Sequence, residues 1–427
     1  MGVNSFSKEE RVSFEKVLEG FEDALAIAGQ AAVLREPGAM LERAGDVIWR
    51  PEPYIVSSYD GLDQSGNFAG QTQLSVPASL NYEKSVPWIM DAKELRDAAQ
   101  EGRLGEAARQ RLASDINLAA LQVVSNQGTL FVKRSAAAVG FDDVAAVDGI
   151  LNEQGVSQMN RNLFLSTGDY NNMASDLSKA SRSLIGDISP RALREASVGR
   201  LSGIETFKLD YAIRKTAAAG GGSLTTDTQT ASANYWVPKA TETAATGQRA
   251  NVDNRYQTIT LSSTTNVVAG DAFTIAGVFA VHHITKQSTG VLKTFRVISV
   301  PSSTTLVISP PIISNQGGSI AEAQYQNCTI AAADESATAA IVFQNTVTAA
   351  INPFFVGDAL EIMPGRYQFP TDAGMAVMRA STSQGIELVM SKQADINTGR
   401  TKFRLDCLFG VNLLQPEMAG LMMFSQS

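Results

Sequence analysis

Histidine is almost missing from this sequence: the only two, His282 and His283, are neighbours. Adjacent side chains on an extended strand point to opposite faces, so the pair reads as ordinary strand residues and not as a shared metal site. Cysteine is as scarce, with Cys328 and Cys407 alone. That excludes a disulfide framework and a cysteine-rich zinc site. A cysteine nucleophile would need a histidine base, and neither cysteine has one near it in the chain. Charge is thin, at 18% of residues against 44% hydrophobic, which implies that much of the folded surface is covered, for instance by copies of the same chain. A net charge of −8 argues against a nucleic-acid-binding surface as the main business. No stretch approaches ~18 uninterrupted apolar residues, and the first residues hold no apolar signal core. Neither a membrane span nor export is expected, and the chain should stay in the cytoplasm where it is made. The glycine run at 220–222 lacks the spacing of a phosphate loop. The acidic pairs Glu9/Glu10 and Asp142/Asp143, and the stretch GDVIWRPEP at 45–53, lack convergent partners in the sequence and read as solvated faces. Nothing in this inventory argues for an enzyme, and no cofactor or metal is expected.

What the sequence does have is length and periodicity. A chain of 427 residues is too long for one simple core and predicts two or three domains. Its spine is the stretch 91–128. Leu104, Ala108, Leu112, Ile116, Ala119 and Val123 recur at steps of three and four, the mark of one apolar helix face. Arg103, Glu106, Arg109, Arg111 and Asp115 fill the other face. Asp91 is placed to cap this helix with Glu94 as its capping-box partner, and residues 126–128 to stop it. About 37 helical residues at 1.5 Å each make a rod of ~55 Å. Gly102 and Gly105 fall inside it, each costing ~1 kcal/mol relative to alanine, so a bend or hinge is expected there.

Residues 7–35 form a second amphipathic pattern. Val12, Val17, Leu18, Phe21, Leu25 and Ile27 lie on one side and Glu15, Glu19, Glu22 and Asp23 on the other. Such a leading helix serves either as an arm onto a neighbour or as packing for its own domain. The strand-like run 47–56, the Gly/Asp/Ser/Gln-rich stretch 59–73 and the run 74–80 predict two extended strands joined by a mobile tip. Helix signals at 141–154, 167–177 and 191–198 alternate with a buried strand at 162–166, which predicts a mixed α/β region.

Composition changes at the glycine run. From 223 to 345 come short β-rich runs about ten residues apart, the pattern of a small all-β barrel or sandwich. Ile259, Leu261, Phe273, Ile275, Val278, Phe295, Val297, Ile298, Leu306 and Ile308 are its expected core. Within it, residues 237–254 have almost no apolar content and predict an exposed loop or hairpin, carrying Lys239, Glu242, Arg249 and Asp253. Afterwards the chain returns to mixed α/β texture, and MAVMRAS, IELVMSK and TKFRLDCLFGVN read as strands of one sheet. A β-rich block between two mixed segments reads as a domain inserted into a host.

The segment NVDNRYQTITLSSTTNVVAGDAFTIAGV at 251–278, with GVNLLQPEMAG at 410–420 and IWRPEP at 48–53, resembles the coat proteins of short-tailed, lambdoid Salmonella-type phages. The order of elements matches theirs along essentially the whole chain. The resemblance implies an α+β fold, the major-capsid fold of tailed phages and herpesviruses. It divides the chain into an N-terminal arm (1–45), a strand and extended loop (46–80), and a peripheral domain with the spine helix (81–140). An axial domain follows in two parts (141–222 and 346–395), around an inserted telokin-like β-barrel (223–345), and a C-terminal strand returns to the peripheral domain (396–427). It further implies a major capsid protein that forms hexamers and pentamers of itself in an icosahedral shell. Its partners would be a scaffolding protein, a portal protein and the enclosed double-stranded DNA, bound without sequence preference; no membrane is involved. Assembly would take place in the host bacterial cytoplasm, and the shell would then expand. In these terms Lys239, Glu242, Arg249 and Asp253 become inter-subunit contacts, Glu15, Glu19, Glu22 and Asp23 the scaffold-contact candidates, and Gly102 and Gly105 the hinge. The rival classes are a cytoplasmic multidomain enzyme, which would need a polar constellation not found here, and a cell-surface β-module protein, which would need an export signal.

Overall fold

The structure is a computed structural model. It describes residues 8–33, 47–53, 55–56, 58, 60–65, 68, 70–91, 98–177, 198–209, 211, 213–220, 224–226, 235–314, 318–330, 338–367, 375–382, 385–395 and 397–426. The first elements are helix α1 (Lys8–Ala24), β1 (Ala32–Val33), β2 (Val47–Pro51), β3 (Ser75–Ser79), β4 (Tyr82–Asp91) and the long helix α2 (Ala98–Gln127). Next come β5 (Leu130–Lys133), α3 (Phe141–Glu153), β6 (Arg161–Ser166), α4 (Thr167–Leu177), β7 (Arg200–Leu201), β8 (Ile204–Leu209) and β9 (Arg214–Lys215). The β-rich block holds β10 (Thr241–Thr243), β11 (Arg249–Asn251), β12 (Gln257–Thr260), β13 (Ala272–Val281), β14 (Ser288–Ser299), β15 (Thr305–Ser309), α5 (Ile320–Tyr325), β16 (Cys328–Ile330) and β17 (Ile341–Phe343). After it come β18 (Ala349–Ala350), β19 (Asn352–Val356), β20 (Leu360–Pro364), β21 (Ala376–Ser381), β22 (Glu387–Asp395), β23 (Arg400–Leu413) and β24 (Ala419–Met423). These elements gather into two compact units, each assembled from three separate stretches of chain.

The first unit comprises Met1–Ile48, Ala78–Gln122 and Leu360–Asn412. Its sheet runs β1-β20-β23-β22-β21, with β4 also paired to β23. The three runs read as one sheet are β21, β22 and β23, all antiparallel. β4 lies antiparallel along β23 from Asp91↔Arg400 to Tyr82↔Phe409, a pairing across more than 300 residues of chain. Stacked rings reinforce the ladder: Trp88 on Phe403 at 5.6 Å and Tyr82 on Phe409 at 5.3 Å. Asp91 is the last residue of β4, and its carboxylate accepts a 2.8 Å hydrogen bond from Arg400 Nε. The described part of the spine helix begins at Ala98, and the expected first turn at 92–97 lies outside the described residues. Glu94 lies outside the described residues. The helical stripe holds at Ala108, Leu112, Ile116, Ala119 and Val123, which are buried, whereas Leu104 is exposed.

α1 ends at Ala24, well short of residue 35, and a 3-10 turn follows at Ala28–Gln30. Phe14, Val17, Phe21, Leu25 and Ile27 are buried, while Val12 is exposed. The helix packs on its own unit: Glu10 pairs with Lys392, and the Ile27 N–H donates to Asn117 Oδ1 at 3.2 Å. Gly105 is part of that packing. A Cβ built there would lie 3.4 Å from Val17 Cγ2, an ordinary van der Waals contact with α1. Gly102 and Gly105 both fall inside one continuous helix.

The second unit comprises Trp49–Pro77, Val123–Ala359 and Leu413–Ser427. One of its sheets has the order β5-β24-β19-β6-β8-β7, with β24 parallel to β5 and β6 parallel to β8. β6 is the expected buried strand, and Leu163, Phe164 and Leu165 are fully covered. Leu163, Phe354, Met422, Val144, Val147 and Met173 bring sheet, α3 and α4 into one core. The expected helix at 191–198 falls outside the described residues apart from Val198.

The β-rich block forms a six-stranded sheet of order β12-β15-β14-β13-β16, with β17 on β13; every pair is antiparallel. Its own core collects Ile259, Leu261, Phe273, Ile275, Val278, Phe295, Val297, Leu306 and Ile308; Ile298 is only half-buried. His282 and His283 lie in the turn after β13, not on a strand. The sequence failed there because the β-branched run ends at Val281 without a glycine or proline to mark it.

Phe273 is 0% exposed, with the Phe295 ring 5.7 Å away and Phe343 at 6.1 Å. Residues 223–345 expressed alone should give a dispersed amide spectrum and a single cooperative melt, since the core is local to the block. Phe273→Ala should cost ~3–5 kcal/mol in urea unfolding of that fragment. A broad, non-cooperative melt of the unmutated fragment would show that the block depends on its host.

Candidate inter-subunit surface and the buried junction

The stretch 237–254 folds as a small hairpin. Thr241–Thr243 pairs with Arg249–Asn251 around a tight turn in which Gly247 adopts φ 82°. Every residue of both strands is exposed. Lys239 Nζ and Glu242 Oε1 form an ion pair at 2.8 Å, and the lysine also lies 5.9 Å from the centre of the Trp236 ring. Asn254 anchors the base: its Oδ1 accepts from Trp236 Nε1 and from the Lys239 N–H. Asp253 does not belong with the other three. Arg255 holds both of its oxygens, at 2.9 and 2.8 Å, and passes its third donor group to the Leu413 carbonyl at 2.6 Å. Arg249 is exposed and makes no ion pair among the described residues. Of the acidic residues on α1, Glu15 is exposed, and the side chains of Glu19, Glu22 and Asp23 lie outside what is described.

Two acidic residues read as solvated are in fact buried. Asp143 is 1% exposed; it accepts from Arg134 Nε at 2.6 Å and from the Val139 N–H at 2.7 Å. Glu10 is the partner of Lys392. Paired acids on an amphipathic helix send one member inward when a cation from another element meets it there.

Where the β-rich block meets the end of α2 and β5, the contact is polar and buried. Thr294 and Arg296, two apart on β14 and so on one face, reach the two carbonyls that follow α2. Thr294 Oγ1 donates to Thr129 O at 2.8 Å and Arg296 Nε to Gly128 O at 2.9 Å. Arg296 Nη1 donates to Gly270 O at 3.0 Å, and the guanidinium lies 5.7 Å from the centre of the Phe131 ring. Burial lowers this guanidinium to about 10, against the pull of Asp271. Beside it, Lys293 pairs with Glu417, and His283 Nε2 lies 3.4 Å from the other oxygen of Glu417. Burial pushes the Glu417 carboxyl up, but Lys293, His283 and Lys286 together bring it below its usual value. Burial lowers His283, and it lowers Lys286 to about 8. The His282 ring sits where a Cβ on Gly155 would be, 2.6 Å away, so the turn of the block presses on the end of α3.

Next to this junction is a cavity of about 310 Å³. Its walls include Glu52, Ile55, Arg255, His283, Ile313 and Glu417. Glu52 lines it, and burial raises its carboxyl to about 7, opposed by Arg255 and supported by Asp253 and Glu417. No sequence pattern pointed to this convergence, because its members lie as far apart in the chain as Glu52 and Met418. Cys328 and Cys407 are buried and their thiols are pushed up, Cys328 to about 12, by burial first. Among the described residues there is no group of three His, Cys, Asp or Glu that could hold a metal, and no helix long and apolar enough to cross a membrane.

The sheets split across distant stretches of chain and the exposed charged hairpin belong to a viral coat protein, as the family match shows. The model of the family described as "P22 coat protein – gene protein 5" matches residues 1–425. The chain belongs to that family, with the tailed-phage major-capsid fold, and is the major capsid protein of a tailed phage. The family is structural and non-enzymatic, and its members assemble with copies of themselves into the icosahedral shell of the virion. Similar solved structures include one from Mycobacterium phage Che8, at 12% identity over 91% of this chain and 93% of that one with a TM-score of 0.42. The capsid of cyanophage P-SCSP1u is 11% identical over 93% of this chain and 87% of that one, with a TM-score of 0.45. The CUS-3 coat protein I-domain is 38% identical over 30% of this chain and 99% of its own length, with a TM-score of 0.21.

Two outcomes follow from the buried charges. Lys293→Met, which strands Glu417 in the junction, should cost ~3–5 kcal/mol in urea unfolding, and adding Glu417→Leu should recover most of it; an unaffected single variant would show the pair to be idle. For Glu52 the folded value, about 7, lies above the ordinary 4.5. The folded chain therefore holds a proton that the unfolded chain has released across that window, and stability should fall as pH rises through it. Glu52→Gln should flatten that part of the melting temperature against pH.

Proposed function

We propose that this chain closes an icosahedral head around double-stranded DNA, as hexamers and pentamers built in the host bacterial cytoplasm. A scaffolding protein guides assembly, a portal protein occupies the DNA entrance, and the shell then expands. The family match over residues 1–425 carries this reading. The chain acts as a structural part and not as a catalyst. Its acidic balance, net −8, supports loose contact with a genome that must later leave. We assign residues 223–345 as a domain inserted between two halves of its host, and 1–45 as an arm with Glu15 on its exposed side as the foremost scaffold contact. Expressing the chain with and without its genomic neighbours and imaging the products by electron microscopy tests the reading; a persistent monomer with catalytic turnover would sink it.

The β10–β11 hairpin makes ionic contact with a neighbouring capsomer, and Arg249 is its free charge. Lys239 and Glu242 neutralise each other within the hairpin, and Asp253 serves Arg255. One exposed pair contributes only ~0–1 kcal/mol, but a closed shell repeats it at every equivalent site. Arg249→Glu should impair shell formation more at low salt than at high salt, as read by sedimentation. Normal shells from a chain lacking 240–251 would remove the hairpin from assembly.

Gly102 and Gly105 let the spine adopt different curvatures in the two capsomer environments. Replacing both with alanine should narrow that range and shift the temperature of shell expansion. Unchanged shell size and expansion temperature would leave Gly105 with the packing of α1 alone.

A further inference from the structure

We propose that the cavity beside the buried junction is a binding site for a small organic cation with an apolar body, its ammonium or amidinium group seated on the Glu52 carboxylate. At about 310 Å³ the space falls at the lower end of the ~300–1,000 Å³ of cavities that hold small ligands. Ile55, Leu74, Ile313 and Met418 give it apolar walls, against which a hydrocarbon ring would replace water.

The charge of the occupant follows from which groups are already committed. Arg255 is the cation nearest in influence to Glu52, yet its donors go to both oxygens of Asp253 and to the Leu413 carbonyl. Lys293 is held by Glu417, and Lys286 donates to the Gln326 carbonyl at 3.0 Å. His283 faces Glu417. Glu52 is therefore a half-buried carboxylate without a hydrogen-bonded cation of its own among the described residues, with Asp253 and Glu417 adding negative potential around it. Its backbone is fixed by the N–H donating to Leu74 O at 2.9 Å, so the carboxylate is held on an ordered strand end. A carboxylate in this state, raised toward 7 by burial, gains most from a ligand that brings its own positive charge. An anion or a neutral isostere gains only the apolar contact. This reading is independent of the assembly surfaces, since the cavity is lined within one compact unit.

The test uses the full chain, as unassembled subunits and as shells, with benzylamine, benzyl alcohol and benzoate as probes. Ligand-observed saturation-transfer NMR gives relative affinities at pH 5 and pH 8. Benzylamine should bind at least about tenfold tighter than benzyl alcohol at pH 8, and that preference should collapse at pH 5, where Glu52 is protonated. Glu52→Gln should erase the preference while benzyl alcohol still binds. Ile313→Trp, which fills the cavity, should remove both. The pH comparison on the unmutated chain keeps the proposal open to failure even where a variant does not fold. Absence of saturable binding, equal binding of benzoate, or an amine preference that survives Glu52→Gln would each overturn it. So would binding to subunits that vanishes in shells, since the cavity would then be occupied by a neighbouring copy.

Discussion

A buried guanidinium at the end of the longest helix holds this architecture in register. α2 finishes with unpaired carbonyls and the negative end of its dipole, and Arg296 meets them from a different sheet. Taking a guanidinium out of water is costly unless its donors are met. Here Gly128 and Gly270 meet two of them, and Nη2 has no partner among the described residues. Thr294 takes the adjacent carbonyl, so one face of one strand reads two consecutive peptide groups. A shift of β14 by one residue would turn that face away, which makes the seating of the β-rich block all-or-none. Glu417, reached by Lys293, lies in the turn Pro416–Met418, whose Pro416 carbonyl accepts from the Thr129 N–H and Oγ1. Helix end, block and C-terminal turn thus share one polar knot.

Close backbone approach is the second constraint. A Cβ on Gly420 would meet the Leu130 carbonyl at 2.2 Å, and one on Gly128 would meet Val124 O at 2.7 Å. In the other unit, Gly410 gives the same clearance to Ser79 O at 2.3 Å. Two of these glycines fall in GVNLLQPEMAG, the stretch whose resemblance to phage coat proteins was apparent from sequence. There a side chain is excluded by a neighbouring backbone, with no chemistry involved.

Much of the local structure was legible. The spine stripe, the buried strand at β6, the β-rich texture of the block and its core all follow from periodicity, which is a property of neighbouring residues. What was not legible depends on pairings between remote segments. The sequence shows a helix ahead of Asp91 and hides β23, the strand that pairs with it more than 300 residues later. Glu10 and Asp143 read as solvated because Lys392 and Arg134 approach from other elements. Asp253 could have been set aside in advance, since Arg255 is two residues on and shares its face in extended chain. Glu52 and Glu417 could not have been joined by any local pattern.

The sheet β5-β24-β19-β6-β8-β7 places β24 in its interior, between β5 and β19. Protein synthesis runs from the other end, so the ribosome has made more than 400 residues before this strand exists. Until residue 423 is free of the exit tunnel, β5 and β19 face an empty slot, and the unit cannot close. Chains cut short by a stalled ribosome, a premature stop codon or a protease before β24 are left with two unpaired edges inside a six-stranded sheet. Such edges present unpaired N–H and C=O groups. A lattice of identical subunits has little tolerance for a defective tile, and a copy without β24 carries a gap in the middle of its sheet.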